Sequence, residues 1–261
     1  MLKRDRLVVV IGLGLVVFVA ATYTVAGIGM NMSALTMTRM AIEMPGMAMQ
    51  RANWSIGYGL VIFLMWWVMM VAMMVPSAAP MVLIHAAIGR KQEKAGQPLA
   101  ATALFVAGYL VIWASFSVLA ATLQWGLESM SILTGMMEIA SPTIAGLILI
   151  AAGLYQLTPF KYACLKHCQS PLTFILHHWR PGRAGAFGMG IKHGGYCLGC
   201  CWFLMVLLFV GGIMNLIWIA GIALYVGIEK FAAGHRWLTV ATGVALTVAG
   251  LQMITSPVLA A

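Results

Sequence analysis

The chain has 261 residues, of which 62% are hydrophobic and only 8% carry a charged side chain. Soluble domains contain roughly a quarter charged residues, so this composition excludes an ordinary soluble protein and predicts an integral membrane protein. The formal net charge of +9 does not indicate nucleic-acid binding, because the basic residues gather in a few short segments between apolar ones, as membrane topology requires.

The apolar segments predict an all-α, polytopic bundle that forms one integral membrane domain over residues 1–261. A hydrocarbon core about 30 Å thick requires roughly 20 apolar residues in a helix. About seven segments meet this requirement, or six if the first is a cleaved signal peptide. Their approximate ranges are 7–27, 56–76, 99–121, 142–158, 194–213, 216–233 and 238–256. Ser141 and Pro142 suit the N-cap and first position of the fourth helix.

The basic residues predict the orientation of this bundle. Thirteen Lys and Arg residues, Lys161 and Lys230 among them, fall in one set of predicted loops, whereas only Arg39 and Arg51 fall in the opposite set. Cytoplasmic loops carry an excess of Lys and Arg. The sequence therefore predicts a multi-pass protein of the bacterial inner membrane with a cytoplasmic N-terminus and a cytoplasmic Cys- and His-containing loop over 159–193.

The first long exterior loop, residues 28–55, is rich in methionine. Its polar neighbours, such as Ser33 and Glu43, make it less apolar than a membrane span. Thioethers remain metal ligands where thiols would be oxidised, so Met44 and Met47 are candidates for capturing Cu(I) outside the cytoplasm. A short interfacial amphipathic helix is the alternative interpretation. The seven methionines are Met30, Met32, Met37, Met40, Met44, Met47 and Met49.

The second predicted helix contains a dense methionine run, MWWVMMVAMMVPSAAPM at 65–81. Residues four apart share a helical face, so at least two thioethers can point together into the bundle. Pro76 and Pro80 are expected to kink or end the helix and to free backbone carbonyls there. Simple packing is the alternative for each methionine. The candidate ligands are Met69, Met70, Met73 and Met74.

A second sulfur-containing motif lies in the segment YQLTPFKYACLKHCQSP. Cys164, His167 and Cys168 have the spacing i, i+3 and i+4, which places them on one helical face. Zinc competes with copper here, because two cysteines and a histidine could complete a tetrahedral site. His177, His178 and His193 are the further histidines available for that purpose. A solvated thiol pair without a function is the alternative.

Three cysteines in the run GGYCLGCCWFLM form the strongest candidate site. Cys197, Cys200 and Cys201 repeat the i, i+3, i+4 spacing near the predicted start of the fifth membrane helix. Thiolate and thioether ligands together favour Cu(I) over harder metals. Nearby glycines at 194, 195 and 199 would let another backbone approach closely. The alternative is that these cysteines act only as small buried hydrophobes.

Three motifs resemble a known family. MWWVMMVAMMVPSAAP, YQLTPFKYACLKHCQSP and GGYCLGCCWFLMVLLFVGGIMNLIW, with a closing IEK, are similar to the bacterial family of predicted metal-binding integral membrane proteins. The resemblance runs from about residue 56 to 235. Members of that family are linked to copper supply for a polyphenol oxidase, and some are described as copper chaperones. The resemblance implies copper handling but supplies no defined ligand set.

The leading hypothesis is a non-enzymatic Cu(I)-binding membrane protein that acquires copper and passes it to a copper enzyme or a metal carrier. The sequence contains no P-loop, which disfavours ATP-driven pumping by this chain. One alternative is a structural or assembly subunit of a membrane copper oxidase or monooxygenase. Another is a thiol–disulfide oxidoreductase that uses Cys197 and Cys200 as a CxxC pair, which a cytoplasmic location of these thiols would disfavour.

Overall fold

A computed structural model describes residues 3–30, 32–43, 54–92, 98–231 and 236–259. Within these ranges the chain is helical, with no strand and one isolated bridge between Leu133 and Ile139. The helices are α1 (Lys3–Ala26), α2 (Ala34–Glu43), α3 (Ile56–Gln92), α4 (Pro98–Ser129), α5 (Pro142–Gln156), α6 (Pro159–Gln169), α7 (Pro171–His178), α8 (Gly182–Val206), α9 (Leu208–Gly211), α10 (Leu216–Phe231) and α11 (Arg236–Leu259). The all-α prediction is confirmed.

In the part of the chain that the structure describes, five helical segments are long and apolar enough to cross a membrane. They are Arg6–Ala26, Ile56–Gly89, Leu99–Ser129, Gly182–Gly211 and Arg236–Ser256. The α5–α6 pair could form a sixth span, although the two helices meet at a bend of 64°. The sixth predicted segment is a helix of 16 residues, about 24 Å long at 1.5 Å per residue, which is short for a bilayer. The count of seven spans is therefore not confirmed.

Two helices extend well beyond their predicted ends. The expectation that Pro76 and Pro80 could end the second helix is wrong, because α3 continues through both prolines to Gln92. The cysteine-bearing helix α8 already begins at Gly182, so the three cysteines lie in its second half rather than near its start. The segment GRAGAFGMGIKHGG has low hydropathy, so hydropathy did not predict this first part of α8, although the segment is helical. The fourth helix begins as predicted, with Ser141 accepting a hydrogen bond from the Ile144 amide.

Glycines allow two pairs of helices to pack closely. A Cβ at Gly108 or Gly190 would strike the backbone of the facing helix, which brings α4 and α8 together. The same is true of Gly153 and Gly243 between α5 and α11. Small residues that allow backbone contact stabilise such pairs of apolar helices. The α4–α8 pair thereby fixes the helix that carries most of the cysteines.

The predicted exterior loop contains a short helix. Within α2, Met37 is buried, and Met40 packs partly buried against the main core. The hydroxyl of Thr38 accepts a hydrogen bond of 2.9 Å from the amide of Leu216 and so ties α2 to the start of α10. A helix is thus present over Ala34–Glu43, while its position at a membrane interface stays a prediction. Met44 and Met47 lie outside the described residues.

Candidate metal-binding site

All five cysteines converge, although they come from two separate helices. Cys168 of α6 lies near enough to Cys197 and Cys200 of α8 to interact electrostatically with both. Cys164, one turn earlier on α6, lies against Gly199, where a Cβ would be only 2.9 Å from its Sγ. The sequence placed these thiols in two clusters, whereas the bend between α5 and α6 joins them into one. We call the five cysteines the thiol cluster.

The cluster is closed to solvent except at one member. Cys197, Cys200 and Cys201 are at most 1% exposed and Cys164 is 8% exposed, whereas Cys168 is only partly buried. All five thiols are free. Cys168 is therefore the member of the cluster that is most accessible from outside. The expected close approach of another backbone is seen at Gly194, where a Cβ would lie 3.3 Å from the carbonyl oxygen of Tyr109. It is wrong at Gly199, where the neighbour is the side chain of Cys164, and at Gly195, where nothing lies within 4 Å.

Cys197 lies at the centre of the hydrogen bonds in the cluster. The thiols of Cys200 and Cys201 each donate to its backbone carbonyl, at 3.0 Å. Its own Sγ lies 3.1 Å from the hydroxyl of Tyr109 and accepts a hydrogen bond of 3.0 Å from the ammonium of Lys230. Hydrogen bonds with a charged partner are roughly twice as strong as neutral ones. Lys230 can thus balance the negative charge of a thiolate at this position.

One methionine of α3 reaches the cluster. The Sδ of Met74 lies 4.0 Å from the Sγ of Cys201, and the backbone carbonyl of Met74 accepts hydrogen bonds from Tyr109 and Ser77. Met69, Met70 and Met73 are also buried, in the same core as the cysteines. Met74 is therefore the candidate thioether that the structure brings into contact with a thiol, and a ligand role for the other three stays a prediction.

Charged groups beside the cluster are buried, which the sequence did not indicate. Lys161 of α6 donates to both carboxylate oxygens of Glu229 at 2.7 and 2.8 Å, and both side chains are at most 2% exposed. Gln156, Tyr225 and Thr239 complete the hydrogen bonds around this ion pair. Lys230 is 6% exposed. The assignment of Lys161 and Lys230 to loops is wrong, because both lysine side chains are buried between the helices.

His167 does not face the thiol cluster. Its ring stacks on Tyr196 with centroids 4.1 Å apart, and its Nδ1 lies 2.8 Å from the carbonyl of Ala163. It shares a surface groove with His177 and His178. His193 is different: it lies one helical turn before Cys197 on α8 and is 3% exposed. Of the histidines proposed to join a zinc site, His193 is the one that approaches the cysteines.

Among the described residues, no group of three or more His, Cys, Asp or Glu side chains is positioned to hold a metal ion. The cysteines of α6 and α8 instead approach one another, and the Sδ of Met74 lies 4.0 Å from the Sγ of Cys201. Such sulfur pairs suit a soft ion of low coordination number better than they suit tetrahedral zinc. Binding would require the thiols of Cys200 and Cys201 to leave the carbonyl of Cys197.

The fold and the site together define a class of helical protein. Its helices are apolar enough to span a membrane, and its core contains a group of free cysteines. The sequence profile of the PpoB2 family, described as a copper chaperone, matches residues 63–253, most of the chain. This protein belongs to that family, which confirms the resemblance seen in its motifs. No curated protein and no solved structure matches the chain.

Proposed function

We propose that this protein is embedded in the bacterial inner membrane, binds Cu(I) in the thiol cluster and passes it to a copper enzyme or carrier. Its family supports a copper-handling, non-catalytic role and delivery to a copper protein. The observation that carries the proposal is the convergence of five free cysteines, with Met74, inside helices apolar enough to span a membrane.

The physical chemistry of the cluster favours reversible binding of a soft ion. Thiolates and thioethers select Cu(I), and Lys230 at 3.0 Å from Cys197 offsets part of the negative charge that thiolate ligands bring into an apolar interior. Sulfur ligands available in pairs allow the ion to change ligands one at a time. Transfer can then proceed by ligand exchange and needs no nucleotide.

The test is Cu(I) binding by the purified, reduced protein in detergent. We expect about one to three Cu(I) ions per chain, in preference to Zn²⁺, by metal analysis after competition with a Cu(I) chelator of known affinity. Replacing Cys197, Cys200 and Cys201 by Ser should weaken binding by more than about 100-fold, since even residues that only support ligands are worth 10–100-fold.

The matched comparison replaces Met30, Met32 and Met47 of the predicted exterior loop by Leu. Met30 and Met32 pack partly buried against the main core, and the thioether that approaches a cysteine belongs to Met74, so this variant should bind Cu(I) nearly as tightly as the parent. If the triple Ser variant is inserted normally and retains the parent's affinity, the cysteines only pack. Stoichiometric zinc without copper would overturn the choice of metal.

A further inference from the structure

A small cavity adjoins the thiol cluster. Its volume is about 170 Å³, well above the roughly 10–15 Å³ that one water molecule requires. Three of its lining residues carry metal-binding atoms: Met81 of α3, Cys168 of α6 and His193 of α8. Ser77 and Lys230 also line it. The cavity therefore shares Cys168 with the cluster and adds a thioether and an imidazole that the cluster itself does not contain.

The imidazole of His193 is not fully used by the fold. The side chain is 3% exposed, yet its Nδ1 has no hydrogen-bond partner within the described part of the chain. A buried polar group without a partner costs about 1–3 kcal/mol, so such groups call for an explanation in a ligand or function. The ring is held in place by Tyr109 and Phe174, whose centroids lie 5.8 and 5.4 Å away.

The cavity also connects the cluster with the outside of the protein. Its lining includes Phe231, which is 60% exposed at the end of α10, and Gln169 and Pro171, which are partly buried at the α6–α7 junction. Cys168 is the partly buried member of the otherwise closed thiol cluster, so an ion that leaves the cluster by this route meets Cys168 first. The loops at this end are those that the basic residues predict to be cytoplasmic.

We propose that Met81, Cys168 and His193 form a second Cu(I) site, an exchange site through which the ion passes between the thiol cluster and the protein surface. This inference rests on the proposed function. Thiolate, thioether and imidazole are all ligands that copper accepts. Lys230 lines the cavity and also donates a hydrogen bond of 3.0 Å to Cys197, so the cavity lies directly beside the cluster. The ion can therefore be transferred without leaving sulfur: a new bond to a cluster thiolate forms as the bond to His193 or Met81 breaks. Copper stays Cu(I) throughout, so the step needs no oxidant or reductant.

The test compares His193→Phe with His85→Phe in the full-length protein, using Cu(I) as the only added ligand. His85 is the matched control, because it is also buried, has ring nitrogens without partners among the described residues and stacks on Phe105 at 4.7 Å. It does not line the cavity. Phenylalanine keeps an aromatic ring in both variants, removes both ring nitrogens and enlarges the ring by one atom. Because both histidines are buried, the control carries the same change of size.

We expect His193→Phe to slow the transfer of Cu(I) to a chelator by at least about tenfold, as loss of a ligand should exceed the effect of a supporting residue. X-ray absorption at excess copper should show a nitrogen ligand in the parent and in His85→Phe but not in His193→Phe. If the parent binds copper and His193→Phe has the parent's exchange rate and spectrum, the second site does not exist, while the thiol cluster stands. A parent that binds no Cu(I) overturns the proposed function itself.

Discussion

The α5–α11 pair and the region around the thiol cluster are held together in different ways. Between α5 and α11, Gly146 faces Gly250 and Gly153 faces Gly243, so that the backbones touch. Neither helix contains a cysteine. Around the cluster, by contrast, α3, α6, α8 and α10 bury thiols, two lysines, a glutamate and two histidines.

We interpret this difference as a division between contacts that build the fold and buried groups that serve a function. Close packing of small residues is sufficient to associate apolar helices, as α5 and α11 demonstrate. Ionisable groups in a membrane interior are expensive and usually mark a functional site. We therefore treat the buried charges of Lys161, Glu229 and Lys230 as candidates for a functional role and the glycine contacts as scaffold. The division is not complete, because Gln156 of α5 and Thr239 of α11 hydrogen-bond to the ion pair. The following substitutions test that division.

The largest effect on stability should come from breaking the buried ion pair. Lys161→Met leaves the Glu229 carboxylate buried without its cation, 2.7 Å from where the ammonium had been. Such a loss typically costs about 3–5 kcal/mol. Unfolding in mixed detergent micelles would measure it. The double variant Lys161→Met and Glu229→Met should recover most of the stability, because replacing both charges by apolar groups is often neutral. A double variant as unstable as the single one would contradict this account.

The ion pair also illustrates what the sequence could and could not predict. Hydropathy located α3, α4 and α11, and Ser141 with Pro142 located the start of α5, because these signals are local. Helical spacing likewise placed Cys197, Cys200 and Cys201 on one face. Lysines near helix ends usually extend to solvent, so local reasoning assigned Lys161 to a loop. The burial of Lys161 depends on the carboxylate of Glu229, which lies 68 residues later in the sequence.

The joining of the two cysteine groups is also a long-range property. It requires the 64° bend between α5 and α6 and the absence of a Cβ at Gly199, against which Cys164 packs. Pattern and spacing describe one helix at a time and contain no information about such a bend. The sequence gives a weak indication that His193 lies near the cysteines, since it precedes Cys197 by four residues. Its unpartnered nitrogen, however, is evident only in the three-dimensional structure.

A smaller effect should follow from adding one methyl group to the glycine contacts. In Gly243→Ala, the new Cβ would lie 2.9 Å from the carbonyl oxygen of Gly153 and 3.0 Å from the side chain of Leu157. Overpacking of this kind typically costs about 1–3 kcal/mol. Gly195→Ala is the matched control, because nothing lies within 4 Å of its Cβ position.

Unfolding and Cu(I) binding should be measured on both alanine variants. We expect Gly243→Ala to lose stability and Gly195→Ala to retain or slightly gain it, since alanine is the better helix former. Both should bind Cu(I) as the parent does. Loss of copper binding in Gly243→Ala while the protein remains folded would show that the scaffold and the site are coupled.

The smallest effect should distinguish Met74 from the other methionines of α3. Met74→Leu removes the sulfur that lies 4.0 Å from Cys201, and the nearly isosteric swap should change stability by less than about 1.5 kcal/mol. If the thioether shares the ion with the thiols, Cu(I) affinity should fall about tenfold, by analogy with other groups close to a bound metal.

Met69→Leu is the control, because Met69 is equally buried and lies on the same helix. Chelator competition should show a weaker site in Met74→Leu and an unchanged one in Met69→Leu. Equal affinities in both variants and the parent would mean that the methionines of α3 only pack and that thiols alone hold the ion.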